Sequence, residues 1–304
     1  MDRDRHYAIY DVFTRDRLAG NPLAVVFDCE GLSDARMQQL AGEFNLSETV
    51  FVLPALNPMH RARIRIFTPH YEMPFAGHPT VGSAIALAQA ADTAASSGIF
   101  VLEEKIGPVR CAVTEIDDVA FAEFDLPSLP QPVLLEVEAA VVGAALGLGP
   151  HEIGFENHKV SAWSAGVPYI TVPVSGLEAA AKARLDIDAW FAFAPYKSPT
   201  AVASAYIYCR ETLLHDSAFH ARMFVAGHPP YEDPATGSAA AAFAGVARHF
   251  DDLRDGSHRL WIEQGLEMGR PSRIRLELDV LDGALKRARI GGHAVKVAEG
   301  TVRA

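Results

Sequence analysis

One short phrase occurs twice in this chain: Tyr71-Glu72-Met73-Pro74-Phe75-Ala76-Gly77-His78 aligns without a gap on Tyr231-Glu232-Asp233-Pro234-Ala235-Thr236-Gly237-Ser238, at an offset of 160. Upstream of each copy stands a second landmark, Ala19-Gly20-Asn21-Pro22-Leu23 and Ala165-Gly166-Val167-Pro168-Tyr169, offset by 166 − 20 = 146. The second half therefore holds 160 − 146 = 14 more residues between its two landmarks. A period this long is no solenoid. It implies an ancestral half duplicated and fused into two similar domains, with a site expected where the halves face each other.

With 304 residues, 49% of them hydrophobic and 21% charged, the chain can give each half its own core. A formal net charge of −11 disfavours nucleic acid and anionic membrane as partners. No apolar stretch reaches membrane length, and Met1-Asp2-Arg3-Asp4-Arg5 is charged where a signal peptide turns apolar. Cys29, Cys111 and Cys209 are odd in number and widely spaced, which predicts reduced structural thiols in a cytoplasmic protein.

Alternating or β-branched runs predict strands at His6 to Thr14, Leu23 to Asp28, Thr49 to Pro54, Arg61 to Thr68, Ile99 to Glu104, Val109 to Thr114 and Ala120 to Asp125. Ser33 to Phe44 predicts an amphipathic helix with Ser33 as its cap. Leu126-Pro127-Ser128-Leu129-Pro130-Gln131-Pro132 predicts a linker. The expected domains are 1–126 and 133–287, the first completed by a returning terminal strand over 288–304.

The runs after the two glycine turns are too apolar for surface helices: Val81 to Ala90 and Ala239 to Val246 carry no charge. Both are expected at the centre of a domain, wrapped by strands. The start of such a helix leaves N–H groups unpaired and adds partial positive charge, so Gly77 and Gly237 become candidate carboxylate-binding positions. Alternatively they are tight-turn glycines, and a positive φ is expected at Gly237.

Titratable residues flank both turns. Glu48 sits at the mouth of an apolar strand, where desolvation raises a carboxyl pKa toward neutrality; it could equally be a solvated or capping residue. His78 opens the first helix, as a proton-transfer partner or a core histidine. Asp233 precedes Pro234 in the second turn, as a functional acid or a turn former.

Gly20-Asn21-Pro22, Asn45-Leu46-Ser47-Glu48-Thr49, Ile66-Phe67-Thr68-Pro69, Pro74-Phe75-Ala76-Gly77-His78-Pro79-Thr80, Asp233-Pro234-Ala235-Thr236-Gly237-Ser238-Ala239 and Gln264-Gly265-Leu266-Glu267-Met268-Gly269-Arg270-Pro271-Ser272 together resemble, in order and over nearly the whole chain, the PhzF-like isomerase family of phenazine biosynthesis. The resemblance implies an α+β fold like that of diaminopimelate epimerase, two pseudo-symmetric domains that each wrap a curved, mostly antiparallel sheet around a central apolar helix. It also implies a cofactor-free isomerase acting on a trans-2,3-dihydro-3-hydroxyanthranilate-like or amino-acid-like carboxylate. Glu48 matches the family's proton-transferring glutamate, His78 and Asp233 its companion polar residues, and Gly77, Gly237 and Ser238 the groups that hold the substrate. A homodimer is the expected assembly.

The epimerase cousins use two thiols as paired acid and base. Here the corresponding positions are Ala76 and Thr236, which argues against a thiol-based racemase and for a single carboxylate that takes and returns the proton. Gly147-Leu148-Gly149-Pro150 lacks the third glycine of a dinucleotide turn. The triplets His60, His70, His78 and His215, His220, His228 lack metal-site spacing. No cofactor and no metal are expected. A hydrolase or lyase reusing the same cleft, and a non-catalytic small-molecule-binding protein, are the alternatives.

Overall fold

The computed structural model describes residues 3–90, 97–194, 196–198, 201–227 and 229–304, with only the backbone described at 196–198 and 201–202. Met1, Asp2 and His228 lie outside the described residues. The chain divides into two compact units: unit 1 is Met1–Pro127 with Ile290–Ala304, and unit 2 is Ser128–Arg289.

Unit 1 contains strands β1 (Asp4–Val12), β2 (Asn21–Val26), β3 (Glu48–Leu53), β4 (Ala62–Phe67), β5 (Glu72–Met73), β6 (Gly98–Glu104), β7 (Gly107–Ile116) and β8 (Val119–Asp125), with helices α1 (Asp34–Phe44) and α2 (Gly77–Gln89). Unit 2 contains β9 (Gln131–Pro132), β10 (Ser161–Ser164), β11 (Pro168–Pro173), β12 (Tyr196–Ser198), β13 (Ala201–Val202), β14 (Ser204–Cys209), β15 (Phe219–Val225), β16 (Tyr231–Asp233), β17 (Gly256–Gln264) and β18 (Ser272–Leu281), with α3 (Ala139–Ala145), α4 (Leu177–Lys182), α5 (Ile187–Phe191) and α6 (Gly237–Phe250). The last strand, β19 (Ala284–Arg303), begins in unit 2 and from Ile290 belongs to unit 1.

In unit 1 the pairings run β1–β2–β3–β4–β6–β7–β8 and return through β19 to β1, where Val12 faces Ala294 and Asp4 faces Arg303. The strands thereby surround α2, of whose residues all but Gln89 are buried. An uncharged helix needs such an enclosure, since it has no face to offer water. Packing is close enough that a Cβ at Gly82 would stand 2.5 Å from Cδ2 of Leu23 and 2.8 Å from Cγ2 of Val12.

Unit 2 repeats the central pairings of this pattern. The parallel pair β2–β3 is matched by β11–β14, the antiparallel pair β3–β4 by β14–β15, the short return β4–β5 by β15–β16, and the parallel pair β4–β6 by β15–β17. Helix α6 corresponds to α2 and is buried along most of its length. Even the supporting ion pairs recur: Arg65 Nε donates to Glu72 Oε1 at 2.7 Å and Arg222 Nε to Glu232 Oε1 at 2.9 Å. Both guanidinium groups also lie over the phenylalanine two residues on, Phe67 and Phe224.

The halves differ where their lengths differ. Between β2 and β3 unit 1 places only α1, capped by the Ser33 hydroxyl, which accepts from the Arg36 N–H. Between β11 and β14 unit 2 places α4, α5 and the small hairpin β12–β13. Trp190 of α5 is fully buried there, its indole N–H donating to the Ala203 carbonyl at 2.8 Å. The proline-rich run expected as linker ends in structure: Gln131 and Pro132 pair with Ser164 and Trp163 as an edge strand, a position where proline's missing N–H is tolerated.

Candidate active site

Two strand starts and one helix start meet in unit 1. Glu48 is the first residue of β3 and lies opposite Leu23 in the parallel register with β2, next to Pro22. His78 is the second residue of α2. Its Nδ1 stands 3.2 Å from Oε2 of Glu48, with the imidazole 4% and the carboxylate 15% exposed.

Burial strips water from the His78 ring and lowers its pKa to about 3, although a hydrogen bond with the Pro22 backbone pulls weakly the other way. The imidazole is therefore neutral at physiological pH. Its Nε2 is buried and has no hydrogen-bond partner among the described residues. A neutral imidazole has one N–H and one lone pair, so beside a carboxylate it can give a hydrogen bond or take one as a proton comes and goes.

No side chain caps α2: Ala76 at its N-cap is extended and apolar, and Pro79 in its first turn has no N–H to offer. The donors left at the helix start are the N–H groups of Gly77 and His78. The positive φ expected at Gly237 is not found. Gly77 and Gly237 are each the first residue of a helix, and neither is among the positive-φ glycines. A helix start, with its dipole along the axis, sets the conformation there, and a turn does not.

The corresponding region of unit 2 holds Asp233, Gly237 and Ser238. Asp233 closes β16 and is buried; the Thr236 hydroxyl donates to its Oδ2. Thr236 is the N-cap of α6, yet its side chain does not cap the helix, being turned to Asp233. Ser238 Oγ lies 2.7 Å from the Tyr169 hydroxyl. In each half, then, the residue after the glycine reaches the upstream landmark: His78 the backbone of Pro22, Ser238 the side chain of Tyr169.

Tyr169 and Gln264 were not among the residues singled out from sequence. Gln264 Nε2 donates to the Asp233 carbonyl at 2.8 Å and to Thr236 Oγ1 at 3.1 Å. Tyr169 directly follows Gly166-Val167-Pro168 and Gln264 lies 160 residues after Glu104, so their place in the repeat was the available signal.

The cysteines take no part in either helix start. Cys29, Cys111 and Cys209 are free and buried. Burial pushes the thiols of Cys29 and Cys209 up to about 12 and that of Cys111 well above its ordinary value. His220, from one of the histidine triplets, is enclosed by Glu263 and Glu267, each 2.9 Å from a ring nitrogen. Among the described residues no group of three or more His, Cys, Asp or Glu side chains is placed to hold a metal ion, and no helix is long and apolar enough to cross a membrane.

The sequence pattern of the family described as phenazine biosynthesis-like protein, PhzC-PhzF, matches residues 10–300. The chain belongs to that family. An uncharacterized isomerase of Mesorhizobium japonicum is 69% identical over 97% of this chain and 98% of its own. The trans-2,3-dihydro-3-hydroxyanthranilate isomerase of Pseudomonas aeruginosa is 35% identical over 97% and 98%. In structure, a PhzF-family phenazine biosynthesis protein of Bacillus anthracis superposes with a TM-score of 0.87 at 26% identity, covering 99% of both chains. A hydroxyproline epimerase of Agrobacterium vitis, at a TM-score of 0.63 and 12% identity, shares the fold alone. Both of these sequence relatives are named isomerases, and this chain is an enzyme of that class.

Proposed function

We propose that this isomerase works without a cofactor, moving a proton between two carbons of a small carboxylate, with Glu48 as the group that takes the proton and returns it. The observation that carries the reading is the pairing of a mostly buried carboxylate with a neutral, buried imidazole at 3.2 Å. A carboxylate in that setting is a competent base, and once protonated a competent acid. His78 orients it and shares its proton. The backbone N–H groups at Gly77 and Gly237 and the Ser238 hydroxyl hold the substrate, and Asp233 is a companion acid.

The Pseudomonas relative acts on trans-2,3-dihydro-3-hydroxyanthranilate, which offers a carboxylate for a helix start and a ring C–H to deprotonate. The first trial substrate is that compound. The three buried thiols suit a cytoplasmic enzyme, and the reading includes a homodimer, to be checked by light scattering.

The test is turnover in deuterium oxide. Wild-type protein should place solvent deuterium in the product, and Glu48→Gln should lose that incorporation by at least about a thousandfold while keeping its fold, because the amide retains the shape but cannot accept the proton. Wild-type rates in Glu48→Gln would remove Glu48 from the mechanism.

A further inference from the structure

The strand that follows each central helix ends on a residue aimed back at that helix's start. In unit 1 this is Glu104, last residue of β6, whose Oε1 lies 2.8 Å from the Thr80 hydroxyl. In unit 2 it is Gln264, last residue of β17, and 264 − 104 = 160, the same offset as the repeated phrase.

Gln264 is fully buried and spends its whole carboxamide on one turn. Nε2 donates to the Asp233 carbonyl and to Thr236 Oγ1, while Oε1 accepts from the Thr236 N–H at 3.3 Å. A hydroxyl has one proton. With an N–H pointed at its oxygen, the Thr236 hydroxyl must turn that proton elsewhere, and it is given to Oδ2 of Asp233. Gly265 brings the strand end close enough: with φ +77°, a Cβ there would stand 2.5 Å from the carbonyl oxygens of both Pro234 and Arg270.

We infer that Gln264 is a positioning residue for Asp233: it polarises and orients the Thr236 hydroxyl so that the Asp233 carboxylate is fixed in one rotamer with one oxygen already occupied. The inference rests on the proposed role of Asp233 only for its effect on turnover. The hydrogen-bond chain itself is testable without any substrate.

Unit 1 shows what a carboxyl does at this place. Thr80 Oγ1 lies 2.8 Å from the Ala76 carbonyl, which can only accept, as well as 2.8 Å from Glu104. Burial pushes the Glu104 carboxyl up to about 8, so at neutral pH it is protonated and can act as the donor. Gln264→Glu should behave likewise, donating to Thr236 when protonated and, when ionised, accepting the hydroxyl proton in place of Asp233.

The experiment follows the Thr236 hydroxyl proton by NMR in wild type, Gln264→Leu and Gln264→Glu. Wild type should show a slowly exchanging hydroxyl proton from about pH 5 to 8. Gln264→Leu should lose it at every pH, and in Gln264→Glu its chemical shift should match wild type at the acid end and move as pH rises and the ionised carboxylate takes the hydrogen bond from Asp233. Persistence of that proton in Gln264→Leu, or a pH-independent Gln264→Glu, overturns the inference; should Gln264→Leu fail to fold, Gln264→Glu alone decides it. On trans-2,3-dihydro-3-hydroxyanthranilate, Gln264→Leu should lower kcat at least tenfold with KM within about threefold. A wild-type protein inert toward that compound would count against the proposed function, and the NMR readout would still decide the role of Gln264.

Discussion

Nδ1 of His78 faces Oε2 of Glu48 across 3.2 Å, and the ring it belongs to stays neutral at any physiological pH because burial holds its pKa near 3. The pair is thus a carboxyl group beside an uncharged donor–acceptor, and a fixed ion pair does not describe it. Such a partner can follow the proton on Glu48 without itself acquiring charge.

That neutrality has a cost in acid. The folded His78 titrates near 3 and the unfolded residue near 6.5. Below about pH 6.5 the unfolded chain binds a proton that the folded chain refuses, so this group's contribution is complete above 6.5 and falls with pH by about 1.4 kcal/mol per unit. Urea midpoints of wild type should decline between about pH 6.5 and 4.5, and His78→Gln should decline less steeply by close to one proton. Equal slopes would mean that the folded imidazole is charged.

Much of this was legible in sequence because the repeat and the apolar helices are properties of residue order. Ser33 and its Arg36 N–H partner, the uncharged run after Gly77, and the β-branched run from Thr49 each have one stable reading. What was not legible depends on distance across the fold. The Tyr169–Ser238 and Gln264–Thr236 contacts join residues 69 and 28 positions apart, and no local pattern distinguishes a hydroxyl that meets another from one in water. The expected positive φ failed for a local reason: a glycine before a helix was read as a turn, whereas here it is the helix's first residue.

Because Gly237 is helical, replacing it carries no left-handed backbone penalty. Gly237→Val should retain the far-ultraviolet circular dichroism of wild type and weaken a bound carboxylate, such as the trial substrate, by tenfold or more, since the side chain screens the helix N–H groups. Unchanged affinity by calorimetry would place the carboxylate elsewhere.

His220 titrates in the opposite sense. Burial lowers its pKa, but the hydrogen bonds it donates to the Glu263 and Glu267 carboxylates outweigh burial and raise it to about 9. With an unfolded value of 6.5, its contribution is complete below 6.5 and disappears as pH rises through 9. Wild-type melting temperature should therefore fall between about pH 6.5 and 9. His220→Gln leaves Glu263 fully buried without its cation, so it should be less stable at pH 7 by roughly 3–5 kcal/mol and should show a flatter alkaline limb. A parallel alkaline decline in both proteins would assign the titration to another group.

Moving a proton within one substrate transfers no electrons and activates no water, and in the proposed mechanism Glu48 would supply both halves of the exchange, first as base and then as acid. Purified enzyme should accordingly keep its full rate of deuterium incorporation after exhaustive dialysis against a chelator and show no flavin, nicotinamide or pyridoxal absorbance. The informative comparison is with a hydrolase or lyase, which would need an activated water or an electron sink. Loss of turnover on chelation, restored by one equivalent of a divalent metal, would replace the carboxylate mechanism with a metal-dependent one.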